Sequence, residues 1–429
     1  MATAGFGASQ AIRLIGNLII TRLVAPEAFG LMAVAFALQM WLAMLTDFGV
    51  NTSVIRSKSA EDDRFLATAW TVQVARDVLI AGVFALAGLA LVQMQAQDAV
   101  KTGSIYADPR LSVVIWAVCV STLIGAFRSI KLPLAQRNIA LRRLVAMEIG
   151  AQILAVIVMV AAARAGAGVY SLAIGMIASS LFTTVMSFLM FQGPSSRFDF
   201  ERAHFSELFH FGKWLLIASV FGFFINRGDK VLFGYLMPSE AFSIYAVAGI
   251  WIAAIEALVA TILQKVAFPA LSEVSRRAPE KLTETYETFR TIANGACFAI
   301  FLGVFFLSDF VFGLLYTDAY SGVAYYARLL SPMILLLPYR VLHNVLIASG
   351  ESKRYTAVTL SSGAAFLIMT PLMFSLAGEK AAIVTVALLS AFALPLAWRF
   401  GAQRVTLKPA IEAPPVIAAL LAAIYLAAG

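Results

Sequence analysis

The stretch LIITRLVAPEAFGLMAVAF, Leu18 to Phe36, returns about 213 residues later as VLFGYLMPSEAFSIYAVAG, Val231 to Gly249. Leu23, Glu27, Ala28, Phe29, Ala33, Val34 and Ala35 recur as Leu236, Glu240, Ala241, Phe242, Ala246, Val247 and Ala248. Further along, LAQRNIALRRLVA (134–146) parallels IASGESKRYTAVT (347–359), each ahead of an apolar block, and Gly166 falls opposite Gly378. Similarity at one long, fixed offset marks a duplicated unit. In a chain as apolar as this one, duplication points to a transporter of two halves.

Hydrophobic residues are 61% of the 429 and charged residues 13%, where a soluble domain is about half apolar and about a quarter charged. Mean hydropathy is +0.86. The apolar residues fall into blocks of roughly 18 to 27, enough to cross a bilayer as helices. Membrane β-strands are about ten residues long and alternate, so they are excluded. The pattern predicts an all-α, polytopic membrane protein: two pseudo-symmetric six-helix lobes, plus a short C-terminal apolar segment.

The blocks predict helices near 5–24, 27–55, 66–93, 111–127, 144–164 and 168–191, then near 210–235, 240–268, 289–314, 322–348, 355–376 and 380–401. Six per half puts both halves in the same orientation, as parallel repeats. The expected domains are an N-terminal lobe, 1–194; a cytoplasmic connector, 195–209, with the amphipathic SSRFDFERAHFSELF; a C-terminal lobe, 210–401; and 402–429, a cytoplasmic loop with a partial thirteenth helix. That last apolar run, VIAALLAAIYLAAG, is about 14 residues, short for a full span. The longest outer loop is QMQAQDAVKTGSIYADPR. The work is therefore expected inside the membrane.

The formal charge of +8 is spread over alternate loops, which argues against a nucleic-acid surface, a single contiguous patch. One set of loops holds Arg56, Lys58, Arg64, Arg128, Lys131, Arg137, Arg142, Arg143, Arg197, Arg202, Arg276, Arg277, Lys281, Lys353, Arg354, Arg404 and Lys408; the other holds Lys101, Arg110, Arg164 and Lys380, with Arg22 near one edge. The basic set faces the cytoplasm, so the expected location is the bacterial inner membrane with the N-terminus inside. The first block has no basic stretch before it and is not read as a cleavable signal. Cys119 and Cys297 lie inside apolar blocks and read as small buried hydrophobes, not a disulfide or metal pair. No metal or cofactor is expected.

The ordered set RLVAPEAFGLMAVA (22–35), LTDFGV (45–50), LAQRNIALRRL (134–144), AGAGVYSLAIG (165–175) and NRGDKVLFGYLMPSEAFSIYAVA (226–248) resembles the polysaccharide flippases of the multidrug/oligosaccharidyl-lipid/polysaccharide exporter superfamily. Within it, the chain is most similar to the group acting on lipopolysaccharide and exopolysaccharide repeat units. The resemblance covers almost the whole chain. It departs in lacking a basic stretch before the first helix and in having an incomplete last pair of helices. The resemblance implies a cavity between lobes that binds a polyprenyl-diphosphate-linked oligosaccharide. It implies alternating access driven by an ion gradient or the membrane potential, without ATP. Implied partners are the lipid-linked substrate, membrane lipid, and a polysaccharide polymerase and chain-length regulator.

Charged groups inside a bilayer are costly unless they face a cavity or a partner. Gln10, Arg13 and Asn17 share one helical face at about 100° per residue. The repeat offset maps Arg13 onto Asn226 and Asn17 onto Lys230, and Asn226, Arg227, Asp229 and Lys230 crowd the seventh helix. A diphosphate calls for several cations in a partly desolvated pocket. Arg13, Asn17, Asn226, Arg227, Lys230 and Arg340 are the substrate-binding candidates; the alternative for Arg227 and Lys230 is structural pairing with Asp229. Asp229, Glu256 and His343 are the ion-coupling candidates. Glu256 looks like an isolated carboxylate, with pairing to a cation of another helix as the alternative. His343 shares a face with Arg340 and Asn344 and either titrates near neutrality or is a structural hydrogen-bonding group. Asp47 reads as a gate or packing element. Arg76 and Asp77 point about 100° apart, so at most one should face a given partner. Pro332, Pro338, Pro371 and Pro395 are expected to kink or break their helices.

Four rival classes can be set against this reading. An enzyme would need catalytic acids in a large outer loop. An ATP-driven pump would need a phosphate-binding loop, and Gly212-Lys213 lacks its flanking residues. A multidrug antiporter of the same superfamily would favour an acidic cavity. A membrane scaffold would have no use for repeat-matched charges.

Overall fold

A computed structural model describes residues 2–46, 50–138, 140–194, 196–206, 208, 223 and 227–428. The chain separates into two compact units: Met1–Phe223 with Lys230–Ser243, and Phe224–Asp229 with Ile244–Gly429. Among the described residues, nine helices are long and apolar enough to cross a membrane, or ten if a pair bent by 68° counts as one span. The protein is a multi-pass, all-helical membrane protein.

The first unit contains α1 (Ala2–Thr21), α2 (Glu27–Leu45), α3 (Val50–Arg56), α4 (Asp63–Ala96), α5 (Arg110–Ala126), α6 (Lys131–Arg137), α7 (Leu141–Arg164) and α8 (Tyr170–Leu189). It also holds residues 230–243: most of helical segment 227–236, named α9, and the start of α10 (Ser239–Ile262). α1 is not among the nine, because Gln10, Arg13 and Asn17 interrupt it. Asp62 starts α4 by accepting the Arg64 N–H at 2.8 Å, as an N-cap should. The bend falls between α5 and α6. Backbone freed at a break inside a membrane protein needs partners. Trp70 Nε1 reaches Arg128 O at 3.0 Å, and Gln73 Nε2 reaches it at 3.1 Å.

The second unit continues α10 through a π turn (Leu263–Ala267) into α11 (Phe268–Arg277). Then come α12 (Leu282–Leu315), α13 (Val323–Leu330), α14 (Pro332–Leu336), α15 (Arg340–Ala348), α16 (Ser352–Ala387), α17 (Leu389–Phe392), α18 (Leu394–Gly401) and α19 (Pro409–Ala428). Pro332 opens α14, Pro338 sits in the 3-10 turn before α15, and Pro395 lies in the first turn of α18. Pro371 lies inside α16 without ending it. The broken series α13 to α15 is mostly buried, 78% of its span window against 44% or less elsewhere. An interrupted helix is tolerated there because protein, not lipid, surrounds it.

The repeat is visible element by element. α4 and α12 are each 34 residues long. A 3-10 turn follows each, Ile105–Ala107 and Asp318–Tyr320. The matched glycines are both left-handed, Gly166 at φ 87° and Gly378 at φ 78°. Only glycine adopts that region readily, and each divides two helical stretches at the predicted boundary.

The structure corrects two expectations. The last helix is 20 residues, not about 14, and qualifies as a span. Its first turns contain Pro414 and Pro415, which the sequence reading placed in a loop. Pro415 cannot donate to Ile411 O; Asn294 Nδ2 donates to it instead at 2.9 Å. Arg76 and Asp77, expected to diverge, bond to each other, Nε to Oδ1 at 2.8 Å.

Candidate functional site

α1 lies along α7, where Gln152 Nε2 donates to the buried Ser9 Oγ at 2.7 Å. Its polar face carries Arg13, exposed, and Asn17, half-buried and engaged with a neighbour. Arg13 makes no hydrogen bond or ion pair among the described residues. Arg227, also exposed and unpaired among the described residues, begins α9. Lys230, one turn on, is buried to 8% and engaged. Asp229 accepts a hydrogen bond from the buried Tyr245 hydroxyl. Asn226 and Asp47 lie outside the described residues.

In the second unit, Glu256 of α10 is not isolated. It accepts a hydrogen bond from Arg340 of α15, with side-chain exposures of 30% and 36%. The pair places Arg340 against a carboxylate of another helix. One turn along α15, Asn344 Nδ2 donates to Leu263 O at 3.4 Å, at the start of the π turn. Such turns free carbonyls and are frequent at functional sites. His343 packs its ring against Tyr355, centroids 5.8 Å apart. The polar face of α15 thus holds the irregular part of the α10–α11 helix.

One charged cluster escaped the sequence reading. Arg290 of α12 is fully buried and pairs with Glu412 of α19 at 3.3 Å. Its guanidinium lies 3.7 Å from the centre of the Tyr339 ring. Glu412 also accepts from the Tyr286 hydroxyl and, at 3.3 Å, from Trp398 Nε1. The signal was present: a carboxylate between prolines and an arginine inside an apolar block, each needing a partner. Read as a loop, Glu412 had offered none. Among the described residues, no group of three or more His, Cys, Asp or Glu could hold a metal.

Fold and site describe a duplicated, multi-span helical protein in which Arg13 of α1 and Arg227 of α9 are exposed and make no hydrogen bond or ion pair among the described residues. A family model described as "polysaccharide biosynthesis protein" matches residues 19–325, and the chain belongs to that family. Solved structures share the fold across nearly the full length. "Lipid II flippase MurJ, inward closed conformation" aligns at TM-score 0.68 and 13% identity, covering 99% of this chain and 96% of that one. A multidrug resistance MATE family transporter of the MOP superfamily, inward-facing, aligns at 0.65 and 15%, covering 94% and 98%. The eukaryotic MATE transporter AtDTX14 aligns at 0.59 and 14%, covering 99% and 96%. No curated protein matches the chain.

Proposed function

We propose that this protein moves a polyprenyl-diphosphate-linked oligosaccharide across the bacterial inner membrane by alternating access, for surface polysaccharide synthesis. The observation that carries this reading is that Arg13 on α1 and Arg227 on α9, near matched points of the repeat, are each exposed and without a hydrogen bond or ion pair among the described residues. A diphosphate head is the anion such groups hold best, through charge-assisted, bidentate hydrogen bonds. Membership in a polysaccharide biosynthesis family and a fold shared with a lipid II flippase support it. Transport follows if the headgroup binds inward- and outward-open states with different affinity. Asn17, Asn226, Lys230 and Arg340 remain its further binding candidates, and Asp229, Glu256 and His343 its coupling candidates. A gradient or the membrane potential supplies the drive, and a polymerase and chain-length regulator take the product.

The test is transfer of a defined polyprenyl-diphosphate oligosaccharide in proteoliposomes, with and without an imposed potential. Wild-type protein should transfer it, and Arg13→Glu should lower the rate at least ten-fold. Failure of well-folded protein to transfer any such lipid removes the proposal. Efflux of cationic drugs that survives Arg13→Glu would instead favour an antiporter.

A further inference from the structure

The two halves differ at one outer loop. Eight residues, 97–104, separate α4 from its 3-10 turn, whereas only Tyr316 and Thr317 separate α12 from the equivalent turn. The extra residues touch the elbow between α9 and α10. Lys101 Nζ donates to Leu236 O at 2.6 Å, and Gly103 O accepts the Ser239 N–H at 2.8 Å. Just beyond, the Tyr106 hydroxyl donates to Val231 O at 3.3 Å, and its ring meets that of Tyr235 at 6.4 Å. Gly234 leaves room for this approach: a Cβ there would stand 3.2 Å from Ile105.

Helix ends leave carbonyls and N–H groups without internal partners. The first-half elbow satisfies its own, with Leu23 and Val24 N–H donating to Ile20 O and Thr21 Oγ1 to Leu18 O. The second-half elbow borrows donors and an acceptor from the first half of the chain. Two of those bonds lie near water: the Lys101 bond is exposed, and the Gly103–Ser239 bond borders an open cleft of about 560 Å³ lined by Gly103, Ser104, Asp108, Arg110 and Ser239, whereas the Tyr106 bond is part-buried. Water can replace the Lys101 and Gly103 bonds when the loop lifts. Within the loop Ser104 Oγ donates to Lys101 O, and Gln95 Nε2 of α4 donates to Tyr106 O and Asp108 O, anchoring the loop's far end to α4.

We propose that residues 97–109 form a releasable clasp, closing the outer end of α9 and α10 in one state of the transport cycle and letting go in the other. This rests on the alternating-access reading above. The test places spin labels at Ala99→Cys and Glu240→Cys, both exposed, in nanodiscs; the native Cys119 and Cys297 are buried. Two distance populations are expected, the longer one growing at least three-fold with Lys101→Ala plus Tyr106→Phe. A single distance unmoved by those substitutions overturns the clasp, whether or not the protein transfers glycolipid. In protein that does transfer, joining the same cysteines with a short cleavable cross-linker should slow transfer at least ten-fold and cleavage should restore it. Undiminished transfer by fully cross-linked protein also overturns it. Protein inactive before cross-linking counts against the transport reading, and the distances alone then decide the clasp.

Discussion

Gly30 and Ser243 occupy the same position in the two copies of the repeat, and they touch. A Cβ on Gly30 would stand 2.2 Å from Ser243 Oγ and 3.1 Å from Ser243 Cα. Close approach at small residues is how membrane helices gain packing when lipid offers no hydrophobic drive between them. Gly30→Ser should therefore push α2 from α10 and destabilise by about 1–3 kcal/mol, the usual range for overpacking. Exchanging the pair, Gly30→Ser with Ser243→Gly, should recover most of that loss, because contacting residues couple. Thermal unfolding in detergent of both single variants and the double variant checks this; additive losses would mean the contact is not shared. The repeat behind the experiment was legible in the sequence, since Gly30 and Ser243 sit inside the most similar stretch. The Glu256–Arg340 bond was legible only as one of two alternatives. The partners are 84 residues apart, and nothing local links α10 to α15.

Helix α19 shows why an element can hide. Its sequence, PAIEAPPVIAALL, carries three prolines and a carboxylate, the marks of a loop. Tertiary partners override them: Asn294 takes the carbonyl that Pro415 leaves, and the Tyr339 hydroxyl donates to Glu412 O. The Arg290–Glu412 pair, at side-chain exposures of 0% and 6%, then fixes α19 to α12. Removing one member of a buried pair strands the other, at a cost of about 3–5 kcal/mol. Glu412→Ala should lower stability by about that much, while Arg290→Met with Glu412→Leu should lose far less, because no charge is left without a partner. Unfolding curves for the two variants settle it: equal losses would mean that volume, not charge, holds the helix. By contrast, the pairing of Gly166 with Gly378 was legible from the repeat, while their shared left-handed backbone, a local requirement of one position, comes from the structure.

For the proposed transport, direction follows at the scale of the whole molecule, from which face of the membrane each loop meets. Basic residues crowd alternate connections, and the connections between them are nearly free of such charge. Arg142 and Arg143 at the start of α7 are exposed, as are Arg197 and Arg202 in the connector; Ala99 is exposed on the loop between α4 and α5. α4, 34 residues at about 1.5 Å each, is about 51 Å long and outreaches a hydrocarbon core of about 30 Å, so its two ends meet water on opposite sides. The charge rule then predicts that the α7 start faces the cytoplasm and the loop between α4 and α5 the outside. With single cysteines introduced at Arg143 or Ala99, a membrane-impermeant maleimide applied to intact cells should label Ala99→Cys at once and Arg143→Cys only after permeabilisation. The buried native cysteines stay out of reach. The reverse labelling would invert the protein in the membrane and place the clasp on the cytoplasmic side. Labelling of both positions without permeabilisation would break the alternation from which the orientation is argued.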